Sequence, residues 1–314
     1  MNHIWILHNP NAGRPGSARA VERTANALAR RGVDVQLRRP ASPAAMRATA
    51  QEAVKAHADA VFVAGGDGSL GMMAAELMGT STALGFLPVG TANVWAQEFG
   101  LPMMSLLHPS ALEHAARMQL EGEIRLTDCG NCNGTIFLLW AGVGLDALVM
   151  RRLSGHRPIS RQMGTAYNVL ATFVLGADWH GTPMRVVADG REIEGHYLLA
   201  VIANARRYAG LFTLTPEARL DDGQLTVWLF EGRSYTESLL QTARVGLGWH
   251  VAHPSVTRLT GEAIELYTPA PQPVHTDGEP LPPTERLHIR VQPRALRVLV
   301  PVHAPAGLYG ERPC

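Results

Sequence analysis

Short apolar runs alternate with amphipathic stretches through the first hundred residues of the chain. The apolar runs have the length and composition of buried strands, and the stretches between them repeat apolar residues every three or four positions, which is typical of helices. The predicted order is strand then helix, four times: His3–Leu7, Ser17–Arg31, Val33–Leu37, Pro43–Ala56, Ala60–Ala64, Leu70–Met78, Ala83–Leu87 and Val94–Phe99. This alternation predicts a Rossmann-like, three-layer α/β domain with a mostly parallel sheet.

The pattern changes after a further helical stretch near Ser110–Leu120. Short strand-like runs follow, separated by turns such as Asp189-Gly190, Asp222-Gly223 and Asp277-Gly278. Two of these predicted strands, Arg191–Glu194 and His196–Ala203, are separated by Gly195, and Pro269–Pro273 is predicted to be a proline-rich loop. This arrangement favours an antiparallel β-sandwich domain, with helical insertions near 142–176 and 235–245. We therefore expect an α/β domain over 1–124, completed by 294–314, and a β-rich domain over 125–293.

Three polar loops follow predicted strands of the α/β domain: Asn9–Gly13, Gly65–Ser69 and Pro88–Asn93. Ligands of such sheets bind beyond the carboxyl ends of the strands. Glycine lets the backbone approach a ligand closely, and the free N–H groups of a turn before a helix bind phosphate. Because Asp67 would repel phosphate, the second loop indicates a nucleotide with a cation such as Mg²⁺ nearby.

The net charge and the lysine content narrow the range of possible functions. The chain has 314 residues and a formal net charge of +1, which disfavours a nucleic-acid partner. Lys55, in a predicted helix, is the only lysine, so neither the P-loop nor the protein-kinase mode of holding ATP is available. No apolar run is long enough to span a bilayer, and we expect a cytoplasmic protein.

Two of the three cysteines, Cys129 and Cys132, have redox-like spacing. No predicted helix follows them, as a thioredoxin-like motif requires. We therefore expect a turn with two incidental thiols, with a functional dithiol as the alternative.

Six segments, in order along the chain, resemble the diacylglycerol kinase catalytic-domain family, which includes bacterial lipid kinases and the sphingosine and ceramide kinases and is distantly related to NAD kinases. The two glycine loops, Gly65–Ser69 and Pro88–Asn93, look like its signature loops, and Asn9–Gly13 resembles its N-terminal nucleotide loop. The remaining similar segments are Asp128 with Ala141–Ala147, Asn204 with Pro216–Gly223, and Asp277–Glu279.

The resemblance implies an ATP- and Mg²⁺-dependent lipid kinase with its active site in a cleft between two domains. Asp67 would serve the metal, and Asp222 would hold a structural metal with the carbonyl groups of Arg219 and Gln224. Asp277 or Glu279 would be the general base; the sequence leaves both open. The nucleotide-binding residues would be Asn9, Pro10, Asn11, Ala12, Gly13, Arg39, Gly65, Gly66, Asp67, Gly68, Ser69, Gly90, Thr91 and Asn93.

The chain departs from the family pattern at Gly71 and Met72, where Asn and Glu are usual, and at Val94, where Asp is common and joins the metal network. A kinase for a soluble polyol or nucleotide, and a non-catalytic lipid or nucleotide sensor, are therefore kept as alternatives. The expected partner is a lipid substrate at the inner membrane surface, reached by transient peripheral contact, and a homodimer is left open. The basic residues from Arg151 to Arg161, beside the apolar stretch Tyr167–Trp179, are the candidate membrane contact.

Overall fold

The computed structural model describes residues 1–10, 13, 16–105, 108–154, 178–210 and 212–311. They form two compact units. The first comprises Met1–Thr127 and Arg294–Leu308, and the second comprises Asp128–Pro293 and the residues from Tyr309 onward. Among the described residues, no helix is both long enough and apolar enough to cross a membrane.

The first unit contains a parallel sheet with the strand order β2-β1-β3-β4. The end of the last strand of the chain adds to it in parallel, with Val298 opposite Leu84. Every residue of β3 and β4 is buried, as expected for central strands of a parallel sheet. The four strands are β1 (His3–His8), β2 (Asp34–Arg38), β3 (Ala60–Gly65) and β4 (Ala83–Pro88).

Helices connect these strands where the sequence periodicity predicts them. Ser42 caps the second helix, because its Oγ accepts a hydrogen bond from the N–H of Ala45 at 3.1 Å. The third helix begins at Asp67, earlier than the predicted Leu70, because Gly68 and Ser69 form its first turn rather than a loop. The helices are α1 (Ser17–Ala29), α2 (Pro43–Lys55), α3 (Asp67–Leu77), α4 (Val94–Glu98) and α5 (Ala111–Leu120).

The second unit is built from antiparallel strand pairs. Strand β9 pairs with β12 along one edge and with β7 and β8 along the other, and β14 pairs with β7, β8 and β15. The strands are β5 (Glu123–Cys132), β6 (Thr135–Phe137), β7 (Trp140–Gly144), β8 (Thr182–Ala188), β9 (Arg191–Ala203), β10 (Arg207–Tyr208), β11 (Phe212–Thr213), β12 (Leu225–Glu231), β13 (Val256–Gly261), β14 (Ala263–Thr276) and β15 (Glu279–Val300).

Several predicted strand ends in the second unit were wrong. Gly195 does not break β9, because it pairs in register with Met184. The proline-rich segment Pro269–Pro273 lies within β14 rather than in a loop, since shifts in register around Gln272 absorb the prolines. Strands tolerate a glycine that keeps the pairing register and prolines at a shift in register. Strand ends predicted from glycine and proline alone are therefore too frequent.

The helical insertions are partly described. Residues 142–144, predicted as helical, belong to β7, and α6 covers Leu145–Ser154. The membrane-contact candidates His156, Arg157 and Arg161 lie outside the described residues, as does most of the apolar stretch beside them. The second insertion forms α7 (Tyr235–Gly246) and a short 3₁₀ helix (Trp249–Ala252).

Cys129 and Cys132 lie within β5, not in the predicted turn. Both are fully buried and unoxidised. Burial raises the pKa of Cys132 to about 12 and that of Cys129 further. Thiols that stay protonated are poor nucleophiles, so the fold does not support a functional dithiol at this position.

Candidate functional site

The three polar loops of the first unit meet at one edge of the parallel sheet. Strands β1, β3 and β4 are neighbours, and each loop leaves the carboxyl end of one of them. The side-chain amide of Asn9 donates a hydrogen bond to Ser69 Oγ at 3.0 Å, and the N–H of Asn9 donates to the Ala64 carbonyl at 3.1 Å. The first two loops are thus joined directly. Asn11 and Ala12 lie outside the described residues.

Glycines allow the second and third loops to pack backbone against backbone. A Cβ atom on Gly90 would lie 2.6 Å from the Cα of Gly66, which is closer than real Cβ atoms approach. The N–H groups of Val89 and Gly90 both donate to the Gly65 carbonyl. The close approach therefore requires glycine at position 90.

The Asp67 carboxylate links the same two loops. Its two oxygens accept hydrogen bonds of 3.0 Å from the N–H groups of Val94 and Trp95, at the start of α4. Burial of the carboxylate raises the pKa of Asp67, although these backbone bonds oppose the shift. The residue predicted to serve the metal is thus also the cap of the helix that follows the third loop.

Backbone donors remain available around these loops. Gly66 and Gly16 precede α3 and α1, and no side-chain cap is found for either helix among the described residues. The first N–H groups of a helix have no intrahelical partner, so they attract phosphate oxygens. Thr91 is partly exposed in the third loop. The donors at this edge therefore suit the phosphates of a nucleotide.

Two polar side chains at this edge have buried atoms for which the described residues provide no hydrogen-bond partner, although Asn93 Nδ2 donates to the Gly90 carbonyl at 2.9 Å. Asn93, which has left-handed backbone geometry, leaves its Oδ1 unpaired, and His8 leaves both ring nitrogens unpaired. Burial lowers the pKa of His8, and the nearby charge of Arg39 lowers it further. Arg39 itself is exposed and donates a hydrogen bond of 2.5 Å to Glu22, so its predicted contact with the nucleotide competes with this ion pair.

The second group of predicted residues lies in the tight turn between β14 and β15. Asp277 and Gly278 form the turn with φ angles of 48° and 81°, the geometry for which Asp-Gly is favoured. The oxygens of Asp277 accept hydrogen bonds from the N–H groups of Leu138, Leu139 and Trp140, at 2.8, 2.9 and 3.1 Å. Glu279 is exposed at the start of β15. The two candidate bases therefore differ: Asp277 also anchors a backbone segment, whereas Glu279 faces solvent.

A buried polar cluster supports this turn, and sequence reasoning did not find it. His275 Nδ1 accepts a hydrogen bond from the Gly278 N–H at 3.2 Å, so its hydrogen is on Nε2, which donates to Asp146 at 3.0 Å. Tyr208 donates its hydroxyl to the same carboxylate oxygen at 3.0 Å. Burial, with the adjacent Asp146 charge, raises the pKa of Tyr208, which keeps that donor protonated.

Gly142 makes room for this cluster. A Cβ atom there would lie 2.4 Å from both Asp146 Oδ2 and His275 Nε2. A glycine within a strand often marks a close approach, but residues 142–144 were predicted as helical, so the sequence carried no such signal at Gly142. The sequence could not reveal the partner either, because His275 is distant along the chain.

Asp222 lies in a turn that hydrogen bonds connect with the Asp277 turn. Asp128 accepts from the Gly223 N–H at 2.6 Å, and the Asn204 side chain donates to the carbonyls of Asp128 and Leu138. The Leu138 N–H in turn donates to Asp277. Asp128 and Asn204, which carried part of the family resemblance, thus join two segments far apart in sequence.

The Asp222 site fits a metal only in part. Asp222 is exposed overall, and partial desolvation of its carboxylate raises its pKa, with a smaller contribution from the Asp221 charge, while the Gln224 N–H opposes the shift by donating to the carboxylate at 3.0 Å. A bound cation would offset both the partial desolvation and the Asp221 charge. Within the described ranges, however, no three His, Cys, Asp or Glu side chains are grouped to hold a metal. A bound ion would therefore depend on backbone carbonyl oxygens, such as those of Arg219 and Gln224, and on water.

Both halves of the chain match models of known protein domains. Residues 3–132 match the model of the diacylglycerol kinase catalytic domain, and residues 140–300 match that of the YegS C-terminal NAD kinase beta sandwich-like domain. A diacylglycerol kinase of Mycobacterium tuberculosis is 31% identical over 313 residues, covering 96% of each chain. A Pseudomonas aeruginosa protein named "Probable lipid kinase YegS-like" is 30% identical over 320 residues, covering 97% of this chain and 94% of its own.

The fold also matches a solved structure. The crystal structure of a diacylglycerol kinase from Bacillus anthracis superimposes with a TM-score of 0.75 at 20% identity, covering 96% of this chain and 98% of that one. Mixed α/β architecture followed by a β-rich domain, predicted from the sequence, is thereby confirmed. The chain belongs to the diacylglycerol kinase family and is a lipid kinase, an enzyme that phosphorylates an alcohol group of a lipid.

Proposed function

We propose that the protein transfers the γ-phosphoryl group of ATP to the hydroxyl group of diacylglycerol or a similar lipid. The observation that carries the proposal is the meeting of the Asn9, Gly65–Ser69 and Gly90–Asn93 loops at one edge of a parallel sheet. Phosphoryl transfer depends on positioning and on neutralising charge, and these loops supply backbone donors without a lysine. The α/β domain is accordingly the nucleotide-binding part, in the Rossmann-like manner.

In this proposal Gly66, Gly68, Ser69 and Thr91 hold the phosphates. Mg²⁺ bound with the nucleotide would neutralise phosphate charge, and Asp67 would orient it through water. A water-mediated role is consistent with Asp67, because both of its carboxylate oxygens already accept hydrogen bonds from backbone N–H groups. Asn9, Pro10, Gly13, Gly65, Gly90 and Asn93 would shape the loops around the nucleotide.

The acceptor side belongs to the second unit. A carboxylate of the Asp277–Glu279 turn would remove the proton from the lipid hydroxyl as the phosphoryl group arrives. The hydrogen bonds from Leu138, Leu139 and Trp140 fix the Asp277 end of this turn, and His275 fixes Gly278. The proposed role of the buried cluster is to hold the turn in place. A structural Mg²⁺ at Asp222 would stabilise the neighbouring turn.

The test is phosphorylation by purified protein with labelled ATP and Mg²⁺. The acceptors to compare are diacylglycerol, monoacylglycerol, phosphatidylglycerol, a sphingoid base and ceramide, with glycerol and NAD as soluble acceptors. Label in diacylglycerol at a rate well above that of the soluble acceptors is the expected result. Label only in glycerol or NAD would favour the soluble-acceptor kinase, and ATP binding without transfer to any acceptor would favour the sensor.

A further inference from the structure

The helix α7 exposes apolar residues and buries polar ones, the reverse of an ordinary surface helix. Its buried face contains Ser238, Gln241 and Val245. The Gln241 side chain donates to the Glu231 carbonyl at 2.9 Å and to Ser255 Oγ at 3.0 Å, so the polar groups on this face are used inside the fold. The helix is therefore held to its domain largely by hydrogen bonds.

The opposite face of α7 carries the apolar residues. Leu240 and Leu247 are seven positions apart and share one side of the helix, and they are 53% and 59% exposed. The following 3₁₀ helix adds Trp249, which is 66% exposed, and Val251, which is 44% exposed. Four of the nine large apolar side chains exposed among the described residues fall in this short segment. We call Leu240, Leu247, Trp249 and Val251 the α7 apolar surface.

Helix α7 carries one acidic residue, Glu237 in its first turn, and one basic residue, Arg244 in its last turn. The sequence contains no aspartate or glutamate from Ser238 to Gly261, whereas Arg244 lies four residues after Leu240 and three before Leu247. Residues at these spacings are neighbours on a helix, so a partly buried arginine, which donates a hydrogen bond to Ser255 Oγ at 3.3 Å, lies between the two leucines. Arginine beside exposed apolar groups suits a partner that is both anionic and partly apolar.

We propose that the α7 apolar surface docks the enzyme on an anionic lipid bilayer. The inference rests on the lipid acceptor in the proposed function, because a hydroxyl group on a long-chain lipid is presented to the enzyme at a bilayer. Tryptophan prefers the interface between headgroups and acyl chains, and exposed leucine and valine gain free energy by entering it. Arg244 would contact lipid phosphates at the same depth. This surface is distinct from the basic segment predicted from the sequence.

The experiment measures binding of the full-length protein to vesicles of phosphatidylcholine with one quarter phosphatidylglycerol, by co-sedimentation. The variant Leu247→Ser/Trp249→Ser should partition roughly tenfold or more weakly than the wild type, since it removes two large apolar groups from the interface. Val302→Ser, which changes a side chain 53% exposed in the first unit, is the matched control and should bind as the wild type does. Arg244→Gln should weaken binding to these vesicles but not to pure phosphatidylcholine vesicles.

A second measurement separates docking from catalysis. With a short-chain diacylglycerol dissolved as monomers, Leu247→Ser/Trp249→Ser should phosphorylate the lipid at the wild-type rate. With diacylglycerol in vesicles, the same variant should lose most of its phosphorylation rate. If the wild type phosphorylates no lipid at all, the proposed function fails while the vesicle-binding comparison still decides the docking surface. Equal vesicle binding by the wild type and the double variant would overturn the proposal. So would a change from dimer to monomer by sedimentation without a change in vesicle binding, because the surface would then join two copies of the chain.

Discussion

The two regions that carry the proposed chemistry are built in opposite ways. The nucleotide loops of the first unit are formed by glycines and backbone groups, and within the part of the chain that the structure describes Asn93 Oδ1 and both His8 ring nitrogens have no hydrogen-bond partner. The Asp277 turn of the second unit is held by side chains whose hydrogen bonds are made within the protein, from Asp146 through His275 to Gly278. The comparison indicates that the first region keeps donors and acceptors for a ligand, whereas the second region is rigid before any ligand arrives.

The largest expected effect separates the two candidate bases. Of Asp277→Asn and Glu279→Gln, the variant that removes the general base should lower kcat for lipid phosphorylation by roughly 10²–10⁴-fold, the usual contribution of such a base, and the other variant should lower it less. Only Asp277→Asn should also lower the free energy of unfolding, by about 2 kcal/mol, because it removes a carboxylate that accepts three backbone N–H groups. Activity assays measure kcat, and urea unfolding measures the free energy of unfolding.

Glu285→Gln changes another exposed carboxylate of β15 and is the control, with both quantities unchanged. Wild-type activity in Glu279→Gln would remove Glu279 from the chemistry. Wild-type stability in Asp277→Asn would contradict its anchoring role.

Next in size is the contact between the glycine loops. Gly90→Ala should lower the free energy of unfolding by about 1–3 kcal/mol and raise KM for ATP, because its Cβ would lie 2.6 Å from the Gly66 Cα and push the loops apart. Gly66→Ala is the matched variant, since its Cβ would meet the Gly90 Cα at an ordinary 3.5 Å. Thermal unfolding should therefore distinguish the two, and equal stability would show that the close packing of the loops is unimportant.

A smaller effect on thermal stability is expected from the addition of Mg²⁺. Mg²⁺ should raise the Tm of the wild type by several degrees, because a ligand that binds only the folded state stabilises it, and a cation offsets the partial desolvation of Asp222 and the charge of Asp221. Asp222→Asn should abolish the rise. Glu192→Gln, at an exposed carboxylate of β9, should keep it. An equal rise in Asp222→Asn would place the responsible ion elsewhere.

The smallest effect concerns His8. His8→Leu should leave the free energy of unfolding unchanged or raise it by up to about 1 kcal/mol, because a buried ring with two unpaired nitrogens gives way to an apolar side chain. Chemical denaturation measures this change. A loss of stability would mean that the ring nitrogens are bonded in solution, and would weaken the contrast between the two regions.

The same contrast explains how much the sequence could predict. The glycine loops were found because each is local: a strand, a run of glycines and a helix follow one another within a few residues. The His275–Asp146–Tyr208 cluster was missed because its members come from β14, α6 and β10, and no local pattern indicates that they meet. Asp277 was predicted as a turn residue and, through the family resemblance, as a candidate base, but its bonds to Leu138–Trp140 depend on strand pairing in the fold.

The most direct measurement of the central claim is transfer of labelled phosphate from ATP to diacylglycerol in mixed micelles by the wild type and by the double variant Asp277→Asn/Glu279→Gln, which removes both candidate bases. The account predicts labelled phosphatidic acid from the wild type and at least about 100-fold less from the variant. The absence of label in the lipid fraction with the wild type, while the protein binds ATP and is folded, would contradict it.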